Sequence, residues 1–166
     1  MKAVSVSYQK FSTMVLVHKG KLMTIVFYSG LRVADDSSAY LRSFGSPKSR
    51  HHATLMYSKK LPVGKIANFL TTPIGVVIKG ISYWVNDSGQ HIVARFSDKR
   101  ILERHNQYVA QGCEYGYSYQ PHITLEINTG DQREKYKDLI GKTIILTYEY
   151  LQLMQEEEVA DLKNSC

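Results

Sequence analysis

His52-Ala53-Thr54-Leu55 and His122-Ile123-Thr124-Leu125 are the two stretches on which the reading of this sequence turns. Both are His-x-Thr-Leu runs set among apolar and β-branched residues. Residues 52–57 and 122–127 therefore read as strands. Side chains alternate across a strand, so His and Thr of each run share one face and the intervening Ala53 or Ile123 takes the other. Two such strands brought together would set two imidazoles and two hydroxyls around one cavity.

Outward from these strands the chain falls into two comparable halves. Residues 13–18 and 21–28 predict two strands, with His18-Lys19-Gly20-Lys21 as a hairpin turn. Asp35-Asp36-Ser37-Ser38 reads as a helix start whose side-chain oxygens cap free amides, with the helix stopping near Gly45 and Pro47. Residues 62–70 predict a second helix. Residues 74–85 predict a strand that turns at Asn86-Asp87-Ser88-Gly89 and returns over 91–96. Asp98 caps a helix through Ile101, Leu102, His105 and Val109 that ends at Gly112. Residues 112–120 form a Gly- and Tyr-rich loop. A short charged helix over 131–140, a strand over 142–150 and a helical acidic tail complete the chain. Hairpins mixed with helices point to the α+β class rather than to a doubly wound parallel sheet.

With 166 residues the sequence predicts one domain over 1–166, with 1–20 an unplaced N-terminal segment and 151–166 an acidic C-terminal tail. Hydrophobic residues at 43% and charged residues at 22% exclude a disordered or collagen-like chain. The formal charge of +6 suits an anionic partner without requiring one. No apolar run reaches the roughly 18 residues of a membrane span, and none forms a signal-peptide core. The two cysteines, Cys113 and Cys166, make no CxxC pair, which excludes a cysteine-built zinc site. A soluble, cytoplasmic, monomeric protein with no membrane and no obligate protein partner is the expectation.

Paired imidazoles and hydroxyls suit phosphodiester cleavage. One neutral imidazole takes a proton from an attacking hydroxyl and one imidazolium gives a proton to the departing oxygen. Thr54 and Thr124 would donate to the non-bridging phosphate oxygens, where charge builds in the transition state. The scheme needs neither metal nor other cofactor. The same pattern also fits two half-buried strand histidines bonded to their neighbours. His51 points away from His52 across the strand, and His105 lies on a helix in a structural setting. Arg50, Lys59, Lys60 and Lys65 give the first motif a basic rim.

The paired motifs resemble the signature of the 2H phosphoesterase superfamily. Pro121 before His122 and the Arg104-His105-Asn106 helix upstream add to the likeness. Within that superfamily the chain is most similar to the phage anti-CBASS nucleases, which degrade cyclic oligonucleotide messengers. The resemblance implies an α+β fold of two pseudo-twofold-related lobes around a central cleft. It implies catalysis by His52, Thr54, His122 and Thr124: the ribose 2′-hydroxyl attacks, and a 2′,3′-cyclic phosphate forms and opens to a linear 3′-phosphate. The partner is then a cyclic di- or trinucleotide, with RNA as a second candidate, in the cytoplasm of a phage-infected bacterium. Trp84, at a strand end, could stack on a base, while Tyr83 faces the other way. Tyr28 is a further stacking candidate. Tyr115, Tyr117 and Tyr119 alternate before the second motif, so Tyr119 could line the cleft or pack over the domain. Glu149 resembles an acidic residue that contacts the base; the residues themselves read rather as an ordinary exposed acid near the acidic tail. Related alternatives are cleavage of 2′,5′-oligoadenylate, opening of RNA 2′,3′-cyclic phosphates, or nucleotide binding without catalysis.

Overall fold

Strand β3 (Lys21–Val33) runs for thirteen residues and organises the sheet. The computed structural model describes residues 6–8 and 14–157. β2 (Met14–His18) enters β3 through Lys19 and Gly20, whose φ values of 51° and 77° are those a two-residue hairpin turn demands. β3 then pairs with β4 (His52–Ser58) over residues 27–32 and with β9 (Thr143–Glu157) over residues 23–33. β4 meets β8 (His122–Ile127) at the register pair Ala53–Ile123. From β8 the sheet continues to β7 (Gly89–Arg95) and β6 (Gly80–Asn86). β1 (Val6–Tyr8) extends it beyond β2, and β5 (Ile74–Val77) pairs with β9. Among the described residues every pairing is antiparallel, and the nine strands form one sheet.

One face of that sheet is the core. Leu31, Leu55, Ile92, Ile123 and Leu146 point into a single buried cluster. α1 (Asp35–Ser43) adds Leu41 to it, α2 (Lys99–Ala110) adds Ile101 and Tyr108, and a 3-10 helix (Arg133–Leu139) adds Tyr136 and Leu139. α2 begins as the sequence suggests: the Asp98 carboxylate accepts from the amides of Arg100 at 2.9 Å and Ile101 at 3.4 Å. α1 begins without a side-chain cap. Its serines are used elsewhere: Ser37 accepts from the Ile145 amide at 2.9 Å, and Ser38 bonds His51 at 2.5 Å. The other ring nitrogen of His51 meets the Ser46 hydroxyl at 2.8 Å, and Ser46 donates to the Leu125 carbonyl at 2.7 Å. This relay fixes α1 and the following loop onto β4 and β8. Among the described residues no helix is long and apolar enough to cross a membrane.

Four expectations need correction. The α+β arrangement of two lobes around a cleft is not what the chain forms. It is mostly β, with more than twice as many residues in strands as in helices and one continuous antiparallel sheet over one core. The cause is the pairing of β3 with both β4 and β9, and of β4 with β8, which stitches the halves together. The helix expected over 62–70 is absent. Its Ala67 carbonyl accepts from Arg104 at 2.9 Å and its Leu70 amide donates to Glu149 at 2.9 Å, so tertiary partners satisfy the backbone. The acidic tail continues as strand to Glu157, paired along β3, where a helix was expected; residues 158–166 lie outside the described residues. In addition, 74–85 is two strands with different partners rather than one.

His51 makes stability depend on pH. It is almost fully buried, at 1% exposure. Burial, with Lys48 and Arg42 nearby, lowers its pKa from 6.5 to about 4. The unfolded chain therefore binds a proton that the folded chain refuses between those values. Stability is complete above about 6.5 and drains as pH falls toward 4, by about 3 kcal/mol for this residue alone. We expect Tm to drop by several degrees between pH 7 and 4, and His51→Gln, whose amide does not titrate, to flatten part of that slope. A Tm indifferent to pH across this range would refute the buried neutral histidine.

Candidate active site

The face of the sheet opposite the core carries the two motifs. Ala53 and Ile123 are 1% and 0% exposed, so their flanking residues are turned to the other side. One step either way from the Ala53–Ile123 pair, the antiparallel register sets Thr54 opposite His122 and His52 opposite Thr124. All four are half-buried. Each motif also bulges at its leucine. β3 residues Ser29 and Gly30 pair with Met56 and Thr54, skipping Leu55. β7 residues Ile92 and Val93 pair with Glu126 and Thr124, skipping Leu125. The bulge puts two successive side chains, Leu55-Met56 and Leu125-Glu126, on the buried side. Both His-x-Thr pairs thus end at the same local bend.

The two imidazoles sit in different settings. The pKa of His52 is lowered to about 4, by burial first, then by the Lys48 ammonium and His122. Its ring stands perpendicular to that of Tyr28, centroids 5.9 Å apart. Burial also lowers the pKa of His122, but the Gln120 carbonyl at 2.7 Å from Nδ1 opposes the shift. A carbonyl only accepts, so Nδ1 carries the hydrogen and Nε2 is the free nitrogen. His122 is therefore the more easily protonated of the two, and both are neutral at pH 7 without a ligand.

The surrounding residues separate into those on this face and those inside. Trp84 stands against His122, ring centroids 4.6 Å apart, and is registered with His91. Tyr83 packs against the core instead. Tyr28 reaches Thr54, hydroxyl to hydroxyl, at 3.3 Å. Tyr119 donates to the Thr54 carbonyl at 2.9 Å and stacks on His105 at 3.7 Å, which pins the loop to β4 and α2. Glu149 is placed inside. Its side chain is 0% exposed and paired with Arg104, and it also binds Tyr108, Ser29 and the Leu70 amide. Sequence reasoning missed Arg32, Tyr148 and Tyr150, which line a pocket of about 440 Å3 with His52. The alternation Tyr148-Glu149-Tyr150 was the available signal: a strand that buries Glu149 must turn both tyrosines outward. It also missed Arg95, registered with His122 and donating to Ser82 at 2.6 Å. Among the described residues no group of three or more His, Cys, Asp or Glu is gathered that could hold a metal ion.

A protein-family model described as anti-CBASS protein Acb1 matches residues 42–161, which include both motifs, Trp84, Tyr119 and Glu149. No curated protein matches the chain.

The placement of Glu149 carries a test. Removing it leaves the Arg104 guanidinium, 6% exposed, buried without its counter-charge. Breaking a buried pair in this way costs about 3–5 kcal/mol. Glu149→Ala should lower stability by that amount in chemical denaturation. Intact stability with only a raised KM would instead assign Glu149 to ligand contact.

Proposed function

The chain belongs to the anti-CBASS protein family Acb1, and from that premise we propose that it is a metal-independent phosphodiesterase that degrades cyclic di- and trinucleotide messengers. The observation that carries this reading is the register pair Ala53–Ile123, which sets an imidazole and a hydroxyl from each motif on one face, each histidine across from the other motif's threonine. The likeness to the 2H phosphoesterases supplies the reaction type. The setting is the cytoplasm of a phage-infected bacterium.

In this mechanism His52 is the general base and His122 the general acid. His52 has the lower pKa and no hydrogen-bond partner among the described residues, so its lone pair is free. It takes the proton of the ribose 2′-hydroxyl as the O2′–P bond forms. His122, held by Gln120 through Nδ1, delivers a proton from Nε2 to the departing 5′-oxygen as the P–O5′ bond breaks. Thr54 and Thr124 donate to the non-bridging oxygens, whose charge grows in the transition state. The product is a 2′,3′-cyclic phosphate, which water opens to a 3′-phosphate with the two histidines exchanging roles. An arriving phosphate supplies the negative charge that favours the imidazolium, so the acid is armed by its own substrate. Trp84 beside His122 offers a face to a base, whereas Tyr28, expected to stack on a base, is only 8% exposed and instead packs beside His52 and Thr54.

The test is a product assay in EDTA with cyclic dinucleotides, cyclic triadenylate, linear 2′,5′-oligoadenylate and RNA 2′,3′-cyclic phosphate ends. Linear 3′-phosphorylated or cyclic-phosphate products from the cyclic compounds are expected. His52→Ala or His122→Ala should slow cleavage by about 10²–10⁴-fold. Turnover that needs added divalent metal would overturn the mechanism, and binding without turnover would make the protein a sponge. The pH dependence of kcat/KM gives a second check. The base is lost as pH falls through the His52 value of about 4, and the acid is lost as pH rises through the depressed value of His122. The expected profile is a bell on the acid side of about 6.5. Lys48→Met should move its acid limb upward by relieving His52 of a neighbouring charge. A rate that climbs steadily to pH 9 would contradict these assignments.

A further inference from the structure

We infer that the pocket beside His52 is a second-phosphate site, in which Arg32 and Arg50 take a phosphate other than the one being cleaved and Tyr148 and Tyr150 flank the attached nucleoside. The inference rests on the phosphodiesterase reading above and adds to it the place where a phosphate other than the scissile one is held.

The pocket measures about 440 Å3 and is lined by Arg32, Arg50, His51, His52, Tyr148 and Tyr150. That size lies within the roughly 300–1,000 Å3 usual for small-molecule sites. Arg32 is registered with His52 across the β3–β4 pair, so its side chain rises beside the imidazole. Arg50 enters from the loop two residues before His52. No carboxylate lines the pocket, and among the described residues neither guanidinium has a carboxylate partner. Arg32 donates to the Tyr148 hydroxyl at 3.3 Å. Arg100, Arg104 and Arg133, by contrast, each pair with Asp98, Glu149 or Asp131. Two arginines kept free of acids in one concavity repel each other, and a phosphate relieves that repulsion through bidentate bonds.

The aromatic wall has its own cause. Gly30 is registered with Tyr150 on one side and Thr54 on the other. A side chain at position 30 would fall 2.7 Å from the Tyr28 hydroxyl and 3.2 Å from the Tyr150 ring. Glycine there lets Tyr28 and Tyr150 converge, centroids 5.8 Å apart, between the pocket and Thr54. One ring system thus borders both the reacting phosphate and the cationic pocket. A ligand with a single phosphodiester fills only the first.

Calorimetric titration of the His122→Ala protein tests this without turnover. The probes are cyclic diadenylate, 5′-phosphorylated linear diadenylate and the dinucleoside monophosphate ApA. In Arg32→Gln/Arg50→Gln the affinity for cyclic diadenylate should fall about tenfold to a hundredfold, and that for ApA at least tenfold less. Loss for the cyclic ligand alone assigns a bridging phosphate, and loss for the linear one as well admits a terminal phosphate. Equal losses for all three, no loss, or no measurable binding by the parent would overturn the site. Should the double variant not fold, Arg50→Gln alone, at an exposed loop position, should still weaken the cyclic ligand at least threefold. Chromatography of each titrated sample, beside wild-type digests, reads the phosphodiesterase proposal separately. Cyclic nucleotide left intact by wild type sinks that proposal while the binding differences stand.

Discussion

Ala53 against Ile123 is the contact from which the site is built. Both side chains are sealed in the core, at 1% and 0% exposure. Because strand side chains alternate with period two, a slip of one strand by one residue would drive its histidine, His52 or His122, into the apolar interior and expose its apolar neighbours. The cost of burying an imidazole and a hydroxyl without partners forbids that register. The core therefore selects the register, and the register selects the face of the functional groups. The bulges at Leu55 and Leu125 complete the arrangement. They end the alternation just past each threonine and return Met56 and Glu126 to the buried side. There Glu126 holds Tyr136 of the 3-10 helix at 2.7 Å.

The charge of the site follows from what surrounds it. His52, His91 and His122 are all pushed toward the neutral form, mainly by burial, and Lys48 adds to the effect at His52 and His91. Arg32, Arg50 and Arg95 bring further positive charge to the same face. Among the described residues no carboxylate lines the pocket beside His52. On the proposed mechanism the ligand would complete these electrostatics, its phosphates meeting the guanidiniums and favouring the imidazolium that an acid catalyst needs. The net charge of +6 expresses the same bias at long range, where salt screens it.

The sequence made the shared face of His52 and Thr54 and of His122 and Thr124 legible, because alternation is local. The Asp98 cap and the opposite facing of Tyr83 and Trp84 were legible for the same reason. The overall arrangement was not, because the pairing that decides it joins residues 23–33 to 146–157, more than a hundred positions away. The sequence suggests two halves, whereas the chain forms one continuous sheet. Residues 62–70 mislead in the same way: apolar spacing suggests a helix, while Arg104 and Glu149, 37 and 79 positions distant, bind the backbone in another conformation. Gly64 and Asn68, at φ 90° and 57°, confirm that this segment is bent rather than helical.

β9 shows how one strand serves both interior and site. Glu149 faces inward and gathers Arg104, Tyr108 and the Leu70 amide; Tyr148 and Tyr150, on either side of it, face the pocket. The ion pair fixes the backbone of β9 at the point where the tyrosines leave it, and pairing of Leu31 with Glu149 fixes the same point to β3 beside Arg32. The pocket wall is therefore as rigid as the buried pair behind it. Loosening that pair should cost ligand affinity as well as stability, since a wall that must be ordered on binding consumes free energy that a preorganised one does not.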